Sequence, residues 1–303
     1  MRKRTVALSI VCCIVAVGVT LGLSVLEREE KSEKEVVSEK EVVPAGSPTS
    51  VPTEDVSISP SQPADVTITV IFDNNVYNPG LQTGWGFSCL IEGYEKTILF
   101  DTGRNGAILM SNMRKLGVNP QKIDVVFLSH EHGDHTGGVP AFLSRNSDVT
   151  VYVLQSFSSR FKEKVKESGA EVIEVSEPQE VCENVYSTGE MGRGVKEHSL
   201  IMRADNGLVI MTGCAHPDVS EIVKRTKELF EEDILFVMGG FHLVNRDRSE
   251  IEEIVSDFRE LGVLYAGPCH CSGELAQELF SQEYNQNYVE IGVGRIIYVK
   301  DLE

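Results

Sequence analysis

The chain has 303 residues, of which 41% are hydrophobic and 24% charged, a balance that lets it bury a core of ordinary globular size. Its formal net charge of −18 argues against binding a phosphate backbone, which draws on Lys and Arg to release counterions, so no nucleic-acid partner is expected. Its seven cysteines do not read as a disulfide framework: Cys12 and Cys13 lie in an apolar run, and Cys269 and Cys271 are too near each other to bridge on ordinary backbone.

Arg2, Lys3 and Arg4 precede an uncharged stretch over residues 5–26, long enough to cross a bilayer core as a helix. With Glu27, Glu29 and Glu30 behind it, the stretch predicts a signal anchor over 1–26. Cleavage near Gly22-Leu23-Ser24 would instead make it a signal peptide and the protein secreted. The expectation is thus a membrane-attached chain with its catalytic domain outside the cytoplasm. Export would favour oxidised cysteines, so the thiols are free, shielded beside a metal, or in a reducing habitat. Residues 27–63 run from mixed charge into a Pro-, Ser- and Thr-rich tract (Pro44, Pro48, Pro52, Pro60, Pro63), a disordered tether by composition.

From residue 64 to 303 the pattern is that of a folded domain. Val66–Phe72 alternates with β-branched residues and reads as a strand; 87–92 and 97–100 form a hairpin pair around Gly93. Ile108–Leu116 reads as a helix closed by Gly117, and Ile123–Leu128 as a strand buried on both faces. Further strands are expected at 149–154, 200–204, 208–212, 234–238, 263–266 and 296–299. Helices are expected around 156–168, 218–232, 248–261 and 273–281. The interleaving suits a layered α/β domain, sheets inside and helices outside.

The chemistry concentrates directly after the strand 123–128, in Ser129-His130-Glu131-His132-Gly133-Asp134-His135-Thr136-Gly137-Gly138. His130 and His132, two apart in extended chain, project to one side. Gly133 allows a sharp turn that aims Asp134 and His135 at a second point, and the two later glycines let a helix begin tightly. Imidazoles and a carboxylate suit two divalent ions, zinc above all, or iron or manganese, better than calcium or magnesium.

His130-x-His132-x-Asp134-His135 resembles the signature of the metallo-β-lactamase superfamily, and Asp101-Thr102-Gly103 resembles the Asp-Thr-Gly that precedes it there. The resemblance spans roughly 66–300 and implies a four-layered αββα sandwich. Gly86-Phe87-Ser88, Thr212-Gly213-Cys214-Ala215-His216-Pro217, Gly239-Gly240-Phe241-His242-Leu243 and Cys269-His270-Cys271-Ser272-Gly273 resemble that superfamily's dihydropterin synthase-like branch. By this resemblance His216 joins His130 and His132 at one metal, and His270 joins Asp134 and His135 at the other. Cys214 stands where many members carry a bridging Asp, which leaves a thiolate bridge, a water bridge or another carboxylate open. His242 is expected to contact substrate or transfer a proton. His198, before a strand, is a further candidate third histidine. Gly189, Gly192 and Gly194 around Arg193 read as a flexible loop.

The implied activity is hydrolysis of a small ester or phosphoester by metal-activated water, with Asp134 orienting the nucleophile as well as binding metal. The alternatives are a pterin-related synthase like the branch's namesake, a di-iron redox protein, and a non-enzymatic metal-binding module.

Overall fold

The computed structural model describes residues 65–302; the apolar run 5–26 and the tether 27–63 lie outside them. Among the described residues no helix is long and apolar enough to cross a membrane. The longest, Arg248–Glu260, has 13 residues, hence an extent of about 20 Å against a hydrocarbon core of about 30 Å. The expected membrane-attached or secreted placement is corrected accordingly, since nothing in the described fold supports it.

Two sheets are built around central strands that are buried on both faces, such as Ile98–Phe100, Val125–Phe127 and Ile234–Gly240. In chain order the first half gives β1 (Thr67–Phe72), β2 (Ser88–Glu92), β3 (Ile98–Phe100), β4 (Val125–Phe127), β5 (Thr150–Leu154) and β6 (Glu171–Val175). The second half gives β7 (Gln179–Cys182), β8 (Val185–Ser187), β9 (Leu200–Ala204), β10 (Gly207–Thr212), β11 (Ile234–Gly240) and β12 (Tyr265–Cys269). The last strand, β13 (Ile296–Tyr298), crosses back to the first sheet, whose order is β13-β1-β2-β3-β4-β5-β6; the second runs β12-β11-β10-β9-β8-β7.

Period-2 alternation sorts each strand's side chains between two cores. Ile68, Cys89, Phe100 and Phe127 of the first sheet meet Leu200, Met202, Val209, Met211 and Met238 of the second in the central core. The opposite faces carry Leu90, Leu99, Val126 and Val151 under α1 (Gly106–Leu116), α3 (Val139–Leu143) and α4 (Ser159–Glu167). On the other side Ile201, Leu208, Ile210 and Val237 lie under α5 (Val219–Leu229), α6 (Arg248–Glu260) and α7 (Glu274–Tyr284). The result is a mixed α/β sandwich in four layers: helices, sheet, sheet, helices.

The element boundaries follow from local chemistry. Helix α1 starts at Asn105, whose side chain accepts from the backbone of Ala107 and Ile108, and stops at Gly117 in the left-handed conformation. Helix α6 begins with a full capping box between Asp247 and Glu250. Strands β6, β7 and β8 escaped the sequence reading; Glu171 and Glu174 of β6 are exposed, which hides its apolar rhythm.

Topology also fixes where a site can form. Strands β3 and β4 run parallel, as do β10, β11 and β12, and β1 shares the direction of β3 because each is antiparallel to β2. The C-terminal ends of all these strands therefore collect along one edge of their sheets, where open α/β structures bind ligands.

Within the central core Phe100 lies between Phe87 (ring centroids 6.1 Å) and Phe127 (5.6 Å) and is fully buried. Replacement Phe100→Ala is expected to cost about 3–5 kcal/mol of unfolding free energy, read from denaturant midpoints at constant slope. A loss below about 1 kcal/mol would show that the two sheets do not depend on this aromatic stack.

Candidate metal centre

Asp101 follows β3, His130 and His132 follow β4, Cys214 and His216 follow β10, His242 follows β11 and His270 follows β12. Seven histidines, carboxylates and thiols thus leave one strand edge and converge. The rings of His130 and His132 lie 4.7 Å apart, with His130 Nε2 3.1 Å from His132 Nδ1. His216 stands 4.8 Å from the first ring and 4.9 Å from the second. On the other side His135 and His270 are 5.1 Å apart, and Asp134 Oδ2 lies 3.5 Å from His270 Nε2 and 3.9 Å from His135 Nε2. Cys214 Sγ sits between the two sets, 3.1 Å from His135 Nε2. Its sulfur lies within 4.8 Å of one ligand atom from each of Asp134, His135 and His270, and likewise of His130 and His216.

Gly133 does not work as the sequence suggested. A Cβ there would meet nothing within 4 Å, and the turn is made instead by His132, which caps the four-residue helix α2 (Gly133–Thr136). The tight approach comes later, at Gly137, where a Cβ would stand 2.2 Å from the Arg104 carbonyl. Glu131, the residue between the first two histidines, faces away and accepts from the backbone N–H of Ser158 at 2.6 Å, pinning the start of α4.

Behind the histidines lies a set of buried acceptors that fixes their rings. Asp101, fully buried, accepts from Ser129 N at 2.8 Å and Ser129 Oγ at 2.7 Å, and pairs with His135 Nδ1 at 2.6 Å. Ser129 Oγ in turn is 2.9 Å from His130 Nδ1. On the far side Asn74 Oδ1 meets His270 Nδ1 at 2.8 Å. Each contact occupies the inner ring nitrogen and leaves Nε2 facing the cluster, the arrangement that orients metal-binding imidazoles. His270 Nε2, and with it His216 Nε2, is buried and has no hydrogen-bond partner.

Protonation states agree with this geometry. Burial, reinforced by neighbouring histidines, lowers the His130 imidazole well below its ordinary range and that of His216 to about 4. Both rings therefore offer lone pairs at neutral pH. Burial also lowers His135, but the Asp101 carboxylate outweighs it and raises that imidazole. At Asp134 burial pushes the carboxyl up, while the nearby rings of His270 (Nε2 at 3.5 Å) and His135 hold it below the usual carboxylate range.

Three features had no visible sequence signal. Glu197 is fully buried and gathers the backbone N–H groups of Gly213, Cys214 and Ala215 on Oε1 (2.9–3.0 Å) and of His216 on Oε2 (3.0 Å). It thereby shapes the loop that carries Cys214 and His216, and burial raises its carboxyl. Asn74 fixes His270 from across the sandwich. Trp85, half-exposed, packs its ring 4.9 Å from that of His270 at the rim. Asp101, Ala215, His242 and His270 all have positive φ, the kind of backbone strain that clusters where function requires a fixed geometry. His242, exposed, lies 4.5 Å from His216, at the mouth rather than inside the cluster.

His198 is not a ligand candidate, which corrects the sequence reading. Its Nε2 is 2.9 Å from the Leu128 carbonyl, its Nδ1 2.9 Å from Ser187 Oγ, and its ring stacks 4.0 Å from Phe127. Both nitrogens are spent on holding β4 to the second sheet. Burial lowers this imidazole from 6.5 to about 3. A group whose folded value is depressed binds more protons unfolded, so it costs stability as the pH falls through the unfolded value toward the folded one. The His198→Gln variant is expected to lose about 1–3 kcal/mol at neutral pH from the imperfectly satisfied Leu128 carbonyl. Its unfolding free energy should also fall less steeply than the parent's as the pH drops below about 6.5. Equal slopes in urea titrations across that range would contradict the assignment.

Comparison with known proteins agrees with the geometry. The sequence profile described as "Metallo-beta-lactamase superfamily" matches residues 86–203. A 7,8-dihydropterin-6-methyl-4-(β-D-ribofuranosyl)-aminobenzene-5′-phosphate synthase of Methanocaldococcus jannaschii is 26% identical over 278 residues, covering 76% of this chain and 95% of that protein. An uncharacterised protein of the same archaeon is 29% identical over 263 residues, 76% of this chain and 99% of its own. The crystal structure of a metal-dependent hydrolase of the β-lactamase superfamily is 30% identical, covers 77% of this chain and 98% of its own, and superposes with a TM-score of 0.65. The chain belongs to the metallo-β-lactamase superfamily, and its likeness extends to the dihydropterin synthase-like branch.

Proposed function

We propose that the chain is a dinuclear metallohydrolase that cleaves a small ester or phosphoester. The observation that carries this reading is the pair of buried, unpartnered nitrogens, His216 Nε2 and His270 Nε2, one in each half of a single cluster. An unpaired buried nitrogen costs free energy unless something completes it, and the donor set around each is that of a transition-metal or zinc site. In this reading His130, His132 and His216 would hold one ion and Asp134, His135 and His270 the other, with Cys214 Sγ within reach of both groups. Zinc suits three imidazoles and a thiolate best, with iron and manganese as the other candidates.

Divalent ions held there supply Lewis acidity toward a carbonyl or phosphoryl oxygen and toward water. The rest is done by the chain's own groups. Asp134, only partly buried and 3.5 Å from His270 Nε2, would orient the attacking nucleophile as well as bind metal. Asp101 and Asn74 keep His135 and His270 from rotating, and Glu197 keeps the Cys214–His216 loop closed on the cluster. His242 and Trp85 stand at the rim, placed to contact the substrate.

A second reading, a pterin-related synthase, is supported by the likeness to the archaeal synthase over 95% of that protein's length. The two readings share the metal centre and differ in whether water or a second substrate attacks. Product analysis with and without a dihydropterin co-substrate separates them.

Metal analysis of the purified full chain is expected to give two divalent ions, and markedly fewer in an Asp134→Ala, His135→Ala variant. Chelator treatment should abolish cleavage of p-nitrophenyl esters or bis(p-nitrophenyl) phosphate, and added zinc, iron or manganese should restore it. Asp101→Ala should weaken metal affinity by about 10–100-fold in chelator competition, since it frees His135 and Ser129 together. A folded, metal-replete preparation that retains no ion would overturn the reading.

A further inference from the structure

Beside the histidine cluster lies a second group of donors, Cys214, His242 and Cys271, of which the hydrolytic reading gives Cys271 no part. Cys271, one residue past His270, is buried and in hydrogen-bond contact with both Cys214 and His242. Its sulfur also lies 3.8 Å from the Cys214 carbonyl. Cys214 Sγ, Cys271 Sγ and a ring nitrogen of His242 all fall within 4.8 Å of one another. The backbone makes room for this grouping: a Cβ on Gly240 would stand 2.7 Å from Cys271 Sγ. His242 reaches the sulfur from a left-handed backbone conformation, φ 57°, which a β-bearing residue adopts at a cost. The described cysteines are all free thiols, so neither sulfur is spent on a disulfide.

We propose that Cys214, Cys271 and His242 form a separate site for a soft, thiophilic metal ion, sharing Cys214 with the dinuclear centre. Two sulfurs and one imidazole are a softer donor set than the imidazole–carboxylate cluster next to it, so the ions preferred are Cu(I), Zn(II) or Cd(II) rather than Mn(II) or Mg(II). Each thiol gives up its proton to solvent as the ion binds, and the ion's fourth position faces the mouth, where His242 is exposed. Because Cys214 offers a single sulfur, an ion in this position draws it away from the dinuclear centre. A soft ion in excess therefore disturbs the hydrolytic centre without displacing its histidines. Nothing in this depends on which substrate is cleaved, or on whether the histidine cluster is catalytic.

Cadmium is the probe, titrated into the reduced full chain and followed by the sulfur-to-cadmium charge-transfer band in the ultraviolet and by bound-ion counts. The parent should bind one more cadmium than Cys271→Ser or Cys271→Ala, and its band should drop to the one-sulfur level in either variant. His242→Ala, at an exposed position where folding is not at risk, should keep the two-sulfur band but weaken that cadmium by about tenfold or more. The Asp134→Ala, His135→Ala variant should retain the two-sulfur band, so failure of the dinuclear centre and failure of this site are told apart. Equal cadmium counts and equal bands in the parent and both folded Cys271 variants would overturn the proposal. So would a His242→Ala affinity equal to the parent's.

Discussion

One buried carboxylate governs the arrangement of the site. Asp101 stands at the end of a strand with left-handed backbone, φ 51°, and spends both oxygens on the neighbouring strand's end: on Ser129 through N–H and hydroxyl, and on His135 directly. Ser129 passes the constraint to His130. Two histidines on opposite sides of the cluster are thus oriented by one group, which is itself fixed because β3 and β4 pair in parallel register up to Phe100 and Phe127. A carboxylate so deeply buried is tolerable only when its oxygens are hydrogen-bonded, and Ser129 and His135 supply those bonds.

Glu197 plays the corresponding part in the second sheet. Four backbone N–H groups converge on it, so a loop that would otherwise expose its amides to a dry interior is closed around one side chain. That loop contains Ala215 and Asp218 at positive φ, conformations that local propensity alone would not select. The two sheets therefore use the same device, an internal carboxylate at the strand edge, to hold side chains that must not relax.

Much of this was legible beforehand because the relevant signals are local. Alternation of β-branched residues marked most strands, and the His130–His135 run marked the cluster, since six consecutive residues can be read without knowing the fold. Cys214, His216, His242 and His270 were found only as parts of short words, because their convergence depends on strand order. Glu197 and Asn74 were invisible for a related reason: a lone Glu or Asn in sequence is an ordinary surface residue, and only burial among backbone donors gives it a role. His198 misled in the opposite direction. Its neighbours in sequence suit a ligand, but the Leu128 carbonyl and Ser187 claim both of its nitrogens. Strands β6 and β7 were missed where solvent-facing glutamates interrupt the apolar rhythm, and β8, only three residues long, was too short to show one.

The return of the last strand to the first sheet has a kinetic consequence. Strand β13 pairs with β1 through Thr67 opposite Tyr298 and Thr69 opposite Ile296, joining the two ends of the described fold. A chain leaving the ribosome cannot complete its first sheet until β13 has emerged, and β1 meanwhile offers an open hydrogen-bonding edge. Such distant pairing slows folding, because closing the loop must precede the contacts that reward it. Loss of β13 alone would leave most of the described contacts intact while turning β1 into an adhesive margin for other copies.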